Sequence, residues 1–301
     1  MSGAPFLTAW EWRRRVRRDP GRALIEPPAL WALQPVPGDD PIWIPFARQD
    51  ILDAARRART MFREAGIRDG DVVLSVAPEG PWVGNAVPAL IAGVDALTTG
   101  EPPLGAEVLP LSALTVSFKQ DLTLFPFARS PTVLVGTAAD LLAVAAAART
   151  AGAPTLRSRL LLLTGPAVEE AITRDLVDER VDLLYLPGAF APFGGRRGEE
   201  GVWLPTGAEA PLEAELIPDE EWGRATQDPA HRPWALPLSA ALGRSGELVV
   251  SVRNHAVPIV RFRTQERVRV VEVSATRGIR VERLRDPQAP AGDGDALAYR
   301  S

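Results

Sequence analysis

The chain has 301 residues, 46% of them hydrophobic, which is enough to bury a large core in one or two domains. It contains no cysteine and only two histidines, so disulfides and thiolate chemistry are excluded, and a histidine-built metal site or a Ser-His-Asp triad is not expected. A net charge of −4 at neutral pH gives no bulk attraction to nucleic acid or to a membrane surface.

A short basic helix is predicted near the N-terminus, over residues 6–18. Thr8 is suited to cap it, and the helix carries Trp10, Val16 and a cluster of arginines. Such a helix can lie on an anionic membrane or on nucleic acid. In an acidic protein it is more often a surface element that pairs with the protein's own carboxylates. We therefore expect neither a membrane nor a nucleic acid as its partner.

A loop, a helix and a turn are predicted next. Residues 27–45 are broken by prolines and are predicted to form a loop that ends in a short strand. A helix is predicted over residues 48–65, where apolar side chains recur at helical spacing. Gly66 follows as its C-cap, and the turn IRDGD leads into the strand VVLSVA.

Strand and helix signals alternate between residues 131 and 190. The strand PTVLVG precedes an alanine-rich helix that Gly152 closes, SRLLLL precedes a second helix that runs through residue 179, and VDLLYL begins the pattern again. The alternation predicts an α/β fold, with mostly parallel sheets covered by helices. We assign residues 1–200 to this core.

The rest of the chain is predicted to form a smaller, barrel-like β-rich part over residues 201–285. Residues 190–240 are rich in Gly, Pro, Trp and acids and are interpreted as long loops with a few strands. Residues 246–271 contain runs in which apolar and polar residues alternate, with Asn254-His255 as a turn between the first two. Residues 286–301 are predicted to be a disordered tail.

Two arginines mark the second of these runs. On a strand, Arg261 and Arg263 project to one face while Val260 and Phe262 project to the other. Two guanidiniums beside Glu266 suit the binding of an anion or of sugar hydroxyls. On residue types alone, a solvated strand face with a surface ion pair is the more common case.

Residues 246–271 resemble the AMP-forming adenylate ligases, and within them the phenylacetate–CoA ligase group. The likeness rests on an opening of Gly, acid, Leu and Val, and on PIVRFRT followed by an acid. Two further stretches are similar, the helix and turn that end in AGIRDGDVVL, and PTVLVGT. The resemblance covers about residues 40–275 and implies the fold of the N-terminal domain of an adenylate-forming enzyme.

The resemblance also implies which residues would contact a nucleotide. The family motif ends in Arg-Thr-Gly-Asp, whose Asp holds the ribose hydroxyls of ATP, and here Gln265 and Glu266 take the last two places. LLLLTGP stands where the family has a turn that packs on adenine, and Tyr185 stands where a family Tyr stacks on adenine. Gly188 and Ala189 replace the Thr and Glu that serve phosphate and Mg²⁺. The candidate cofactor-binding residues are Gly165, Tyr185, Gly188, Arg263 and Glu266.

The segment in the place of the family's phosphate-binding loop departs most from the pattern. Residues 34–41 hold a single glycine, Gly38, and no hydroxyl or basic residue. Asp39 and Asp40 put two carboxylates where phosphate would lie. Like charges a few ångströms apart in a partly buried site repel by on the order of several kcal/mol. AMP or ATP is therefore a candidate cofactor with a degenerate triphosphate loop, and we assign no metal ligand and no catalytic residue.

The family lines its acyl pocket near residues 78–100. Trp82 and Gly84 are the candidate pocket residues here. Trp82 either stacks on an aromatic acid, plugs the pocket or belongs to the core. We expect any remaining site to lie between the two sheets, near Trp82, Gly165, Tyr185 and Glu266.

Family members continue into a C-terminal lid that carries a catalytic lysine. The sequence given stops before it, and its only lysine is Lys119. No apolar run is long enough to span a bilayer, and the N-terminus does not resemble a signal peptide, so we expect a cytoplasmic protein.

Three hypotheses follow from the resemblance. The first is a degenerate relative that binds an acyl or aryl acid, a nucleotide-type ligand or a protein partner without efficient adenylation. The second is an active ligase with an unorthodox ATP site or one completed by another chain. The third is a pathway enzyme whose site performs different chemistry.

Overall fold

The computed structural model describes residues 5–18, 24–36, 39–76, 104–110, 131–136, 141–142, 146, 158–163, 177–207, 210–227 and 233–284. The chain divides into two compact units. The first, which we call the antiparallel unit, comprises Met1–Ala55, Tyr185–Phe193 and Gly201–Leu284. The second, the parallel unit, comprises Arg56–Leu184, Gly194–Glu200 and Arg285–Ser301.

The predicted basic helix is present as α1, Ala9–Arg18. The amide of Glu11 donates to Thr8 Oγ1 at 3.2 Å, and the amide of Thr8 donates to the Glu11 carboxylate at 2.8 Å, which is a capping box. Thr8 is confirmed as the cap. Arg13 pairs with the Asp39 carboxylate at 2.5 Å, so this arginine is engaged by one of the protein's own acids.

The prediction of a loop over residues 27–45 that ends in a short strand was right for the strand and wrong for the loop. The region forms an antiparallel hairpin of β1, Leu30–Val36, and β2, Asp39–Phe46. Alternate residues of β2, Ile42, Ile44 and Phe46, are buried, which is the period of a strand with one face on the core. A two-stranded ribbon tolerates proline because a missing N–H can face outward without breaking a ladder.

Helix α2 spans Arg48–Glu64, as the apolar spacing predicts. Gly66 follows with φ +99°, a left-handed conformation that suits glycine at a helix C-cap. None of the described helices is long and apolar enough to cross a membrane.

A six-stranded sheet forms the core of the parallel unit, in the order β4-β3-β5-β6-β7-β8. The strands are β3 Val72–Val76, β4 Glu107–Pro110, β5 Val133–Gly136, β6 Ser158–Leu163, β7 Val177–Leu184 and β8 Phe193–Gly194. The pairings from β4 through β7 are parallel. The predicted mostly parallel sheet is confirmed, whereas the stretches predicted to cover it as helices fall largely outside the described residues.

Two details of the predicted alternation differ. Strand β7 begins at Val177, where the preceding helix was predicted to continue, because Val177, Val181 and Leu183 already turn buried side chains inward. Leu184 leads into a turn and not into a helix, since Pro187-Gly188 interrupts it.

The antiparallel unit contains a second six-stranded sheet, in the order β11-β10-β12-β13-β14-β9. Its strands are β9 Val202–Leu204, β10 Leu212–Pro218, β11 Leu236–Pro237, β12 Ser245–Val252, β13 Ile259–Ser274 and β14 Gly278–Arg283. Helix α3, Asp219–Gln227, follows β10, and a 3₁₀ turn spans Leu238–Ala240. The β-rich part is confirmed, whereas the boundary at residue 200 and the tail over 286–301 stay predictions.

Candidate functional site

The turn after β7 is held by two side-chain amides. Gln34 Nε2 donates to the Ala189 carbonyl at 2.6 Å, and Gln34 Oε1 accepts the Gly188 N–H at 2.6 Å. Asn254 Nδ2 donates to the Gly188 carbonyl at 2.8 Å. Gly188 has φ +88°, a conformation that strains any residue with a side chain, and an added Cβ would also lie 2.6 Å from Ile259 Cδ1, so glycine is favoured there. The turn is therefore fixed by internal partners.

Tyr185 opens this turn and offers an unsatisfied group. Its hydroxyl oxygen is buried and has no hydrogen-bond partner in the described part of the chain, although part of the side chain is exposed. Burial raises the pKa of the phenol well above its ordinary value of 10.0, so the hydroxyl stays protonated. A buried phenol of this kind can donate to a ligand.

The segment that contains Arg263 is irregular. Arg261 and Gln265 have φ of 49° and 61°, and the pairing of β12 with β13 shifts register twice in this region. Gln265, which stands where the resembled motif has glycine, therefore adopts a left-handed conformation. Arg263 Nη2 donates to Glu247 Oε2 at 2.6 Å, and Glu247 is 1% exposed. The guanidinium of Arg263 thus neutralises a buried carboxylate.

Glu266 is paired in a similar way. Arg283 donates to it through Nη2 at 2.6 Å and through Nε at 3.2 Å, and each side chain is 13% exposed. The Glu266 amide donates to Thr264 Oγ1 at 3.1 Å. On this strand, Arg263 and Glu266 therefore each form an ion pair within the protein. A carboxylate has about four lone-pair positions, so the two bonds from Arg283 leave room for a hydroxyl donor.

The acidic pair in the place of the phosphate loop lies at the start of β2. Arg13 Nη2 binds the Asp39 carboxylate, and Arg13 Nη1 donates to the Asp40 carbonyl at 2.7 Å. The only guanidinium that the structure places on this pair is already bound by Asp39 within the described residues. Among the described residues, this end of the hairpin therefore presents the Asp40 carboxylate together with an arginine, Arg13, that is already engaged.

A buried carboxylate anchors the start of α2. Asp50 is 6% exposed and accepts the N–H groups of Ala47 at 2.8 Å, His255 at 2.6 Å and Ala256 at 3.1 Å. Asp50 therefore ties the helix to the turn between β12 and β13. This aspartate lies in the helix-and-turn stretch that resembles the ligases, and its hydrogen bonds here hold the fold together.

Four candidate residues, Tyr185, Gly188, Arg263 and Glu266, lie in the antiparallel unit. Gly165, Trp82, Gly84 and Lys119 lie outside the described residues. Sequence reasoning missed the partners Gln34, Glu247, Asn254 and Arg283. Gln34 had a visible signal, because it is the one polar side chain on the buried face of β1. Among the described residues, no group of three or more His, Cys, Asp or Glu could hold a metal ion.

Comparisons with known proteins rest on structure. No protein-family model and no curated protein matches the chain. An open form of 2-hydroxyisobutyryl-CoA ligase, solved with 2-HIB-AMP and CoA, is similar with a TM-score of 0.67 and 17% identity, over 94% of this chain and 63% of the ligase. The chain has the fold of the acyl-CoA ligases.

Two further ligases agree at lower similarity. The anthranilate CoA ligase AuaEII, solved with anthranoyl-AMP, matches with a TM-score of 0.51 and 17% identity, over 84% of this chain and 46% of that one. A long-chain-fatty-acid-CoA ligase from Archaeoglobus fulgidus matches with a TM-score of 0.51 and 10% identity, over 86% and 51%. The chain spans about half to three-fifths of the length of these ligases. Identities this low carry the fold alone.

Proposed function

We propose that this protein uses the acyl-CoA ligase fold as a binding scaffold and does not form acyl-adenylates efficiently. Its ligand in this proposal is a nucleotide without a triphosphate, or an acyl-adenylate-like molecule that combines the nucleotide with an acyl or aryl acid. A protein partner that the scaffold positions is compatible with the same site.

The observation that carries the proposal is the Gln34 clamp on the turn at Gly188 and Ala189. In the ligase motif this turn presents a Thr and a Glu to phosphate and Mg²⁺. Here Gly188 and Ala189 have no such side chains, and a buried amide binds one backbone group of each. Gln34 belongs to the segment in the place of the phosphate loop, so both triphosphate-binding elements are bonded to each other.

Adenylation needs the β- and γ-phosphates held in line while cations take up the developing charge. Asp39 and Asp40 supply negative charge instead, and Arg13, the arginine bonded to them, is engaged by Asp39. Loss of one such donor typically lowers a rate by about 10²–10³. Because several are missing together, we expect adenylation at background level, although their losses need not multiply.

The nucleoside half of the site is better preserved. Glu266 keeps acceptor positions beside Arg283, which suits ribose hydroxyls, and the buried Tyr185 hydroxyl suits a hydrogen-bond acceptor of a base. These groups support AMP or an acyl-adenylate as a ligand in preference to ATP.

ATP–pyrophosphate exchange and ligand-induced thermal shifts test this proposal. With a panel of aliphatic and aryl acids, with and without Mg²⁺, we expect no exchange above background. A non-hydrolysable acyl-sulfamoyl adenosine and AMP should raise the melting midpoint more than ATP does. Robust exchange would show that the protein is a working ligase.

A matched pair of variants localises the binding. Glu266→Ala should abolish the thermal shift by AMP. Glu272→Ala should leave it unchanged, because Glu272 lies on the same strand and also pairs with an arginine of β14, Arg280, at 3.3 Å, but at a more exposed position. Equal loss in both variants would mean that the shift reports the stability of the sheet and not a site at Glu266.

A further inference from the structure

A second feature of the antiparallel unit is a cavity of about 340 Å³. Its walls come from β9, β10, β12, β13, β14 and the 3₁₀ turn, and apolar side chains including Leu204, Leu238 and Ile279 line it. Pockets for small molecules start at roughly this volume and combine apolar walls with a few placed polar groups. The cavity lining contains neither Tyr185 nor Glu266, so it is separate from the site described above.

The polar part of the cavity is built around Arg261. This residue has φ 49°, a left-handed conformation that costs a non-glycine residue about 1–2 kcal/mol. Its amide donates to Ser251 Oγ at 2.9 Å, and its carbonyl accepts the Leu7 N–H at 2.9 Å. Its guanidinium lies 4.1 Å from the centre of the Phe6 ring and donates to Glu215 at 2.8 Å. Residues that their neighbours hold in a strained backbone conformation, as here, are found most often at functional sites.

Glu215 and Ser251 provide an acceptor and a donor on the same face of the sheet. Glu213 lies directly opposite Ser251 in the register of β10 and β12. Glu215, two residues further along β10, is therefore the diagonal neighbour of Ser251, at a backbone spacing of about 7–8 Å. The Glu215 side chain is 24% exposed, and its carboxylate keeps lone pairs beyond the two bonds from Arg261. Ser251 Oγ accepts the Arg261 amide, which leaves its O–H to donate.

The charges select the class of ligand. Arg261 and Glu215 neutralise each other, and Glu213 is paired with Arg253 at 2.5 Å. A charged ligand would place an uncompensated charge against apolar walls, which is costly. A neutral group with an acceptor next to a donor matches Ser251 and Glu215 together.

We propose that this cavity binds a small carboxamide with an apolar body. The amide N–H donates to Glu215, the amide carbonyl accepts from Ser251, and the body lies against Leu238 and Ile279. This proposal does not rest on the proposed function, because the cavity contains neither Tyr185 nor Glu266. Binding of an amide and formation of an adenylate are also measured by different experiments.

Titration calorimetry with benzamide, benzoate and benzylamine tests the proposal, since the three share a ring and differ in the polar group. We expect saturable binding of benzamide, and Kd values for the two charged analogues that are higher by about tenfold or more, the ratio that one poorly compensated polar group produces. Glu215→Gln leaves Arg261 without its counter-ion and should reverse the order, so that benzoate binds better than benzamide. Equal binding of the three probes, or an order that Glu215→Gln does not change, would overturn the proposal.

A second variant covers the case in which Glu215→Gln does not fold. Ser239 is exposed and lies at the cavity wall, so Ser239→Trp should block the cavity without disturbing the core. Benzamide binding should then be lost while the urea midpoint stays unchanged. Retention of binding in Ser239→Trp would contradict the site, and Glu272→Gln, outside the cavity, serves as the control that should bind benzamide normally.

Discussion

Two regions of the chain resemble the ligase motifs, and their carboxylates behave differently. In the helix–turn segment, residues 46–76, Asp50 and Asp71 are buried and receive donors from the surrounding framework. Asp71 accepts the Arg68 amide at 2.7 Å, the Thr132 hydroxyl at 2.8 Å and Arg159 at 2.6 Å. These bonds tie the starts of β3, β5 and β6 together within the parallel unit.

In the second region, the turn at Tyr185–Ala189 and the strand segment Arg263–Glu266, the ligase motif departs from its pattern. There Gln34 bonds the backbone of Gly188 and Ala189, and Arg283 pairs with the Glu266 side chain. The similar segment is thus explained by the needs of the fold. The dissimilar one is where the proposed function parts from that of a ligase, because its departures from the motif coincide with these internal bonds.

The largest effect is expected when the Asp50 carboxylate is removed. This change tests whether the helix–turn segment serves the stability of the fold. Asp50→Ala would leave three N–H groups without their acceptor, and we expect a loss of about 3 kcal/mol in the free energy of unfolding. Urea denaturation measures it. Asp53→Ala, one turn along α2 on a half-exposed carboxylate, should cost less than about 0.5 kcal/mol. Similar costs for both variants would remove the distinction drawn here.

Asp71 gives the same comparison a pH dependence. Burial alone would raise the pKa of Asp71, but the bonds from Arg159, Thr132 and Arg68 outweigh it and lower the pKa below its usual 3.8. A carboxyl with a lowered folded pKa stabilises the protein above its unfolded pKa, and that stability is lost as pH falls through the folded pKa.

Asp71→Asn should therefore cost about 2 kcal/mol at neutral pH, because Arg159 loses its counter-ion. The difference between wild type and variant should shrink as the pH falls from about 5 toward 2. Urea midpoints across this range measure it. A difference that stays constant down to the lowest pH would show that the carboxylate charge is not what Asp71 contributes.

Much of the framework could be predicted from sequence, and particular elements show why. Strands β5 and β6 are short apolar runs bounded by breakers, and α2 repeats its apolar residues at helical spacing before Gly66. These signals are local. The hairpin of β1 and β2 was missed because its prolines were interpreted as breaks, although a two-stranded ribbon accepts them. Helix α3 was missed inside a stretch rich in Gly, Pro and Trp.

The candidate site was less accessible to sequence reasoning, because its partners are fixed by register. Glu266 meets Arg283 only because β13 and β14 pair with Val268 opposite Arg283. Glu247 meets Arg263 across a register shift that accompanies two left-handed residues. Bulges of this kind are not encoded in the period-2 pattern, so the residue types could be named and their partners could not.

The pairing of Glu266 with Arg283 can be measured directly. A double-mutant cycle with Glu266→Ala and Arg283→Ala should give a coupling energy of about 1 kcal/mol, since the pair is bidentate and mostly buried. The equivalent cycle on Glu272 and Arg280, whose side chains are more exposed, should give about 0.5 kcal/mol or less. Urea midpoints of the variants provide both values. Zero coupling at Glu266 would mean that its carboxylate is held by something other than Arg283.

The smallest effect sharpens the comparison at a single backbone position. Gln265 has φ 61° where the ligase motif has glycine, and a left-handed side-chain-bearing residue costs about 1 kcal/mol, which the extra chain entropy of glycine partly offsets. Gln265→Gly should therefore be neutral or stabilise the protein by up to about 0.5 kcal/mol. Arg269→Gly, at an exposed position with no left-handed φ on the same strand, should destabilise it by about 0.5–1 kcal/mol. Thermal and urea unfolding measure the two signs. If both glycine variants destabilise the protein equally, the left-handed φ of Gln265 does not strain the native state.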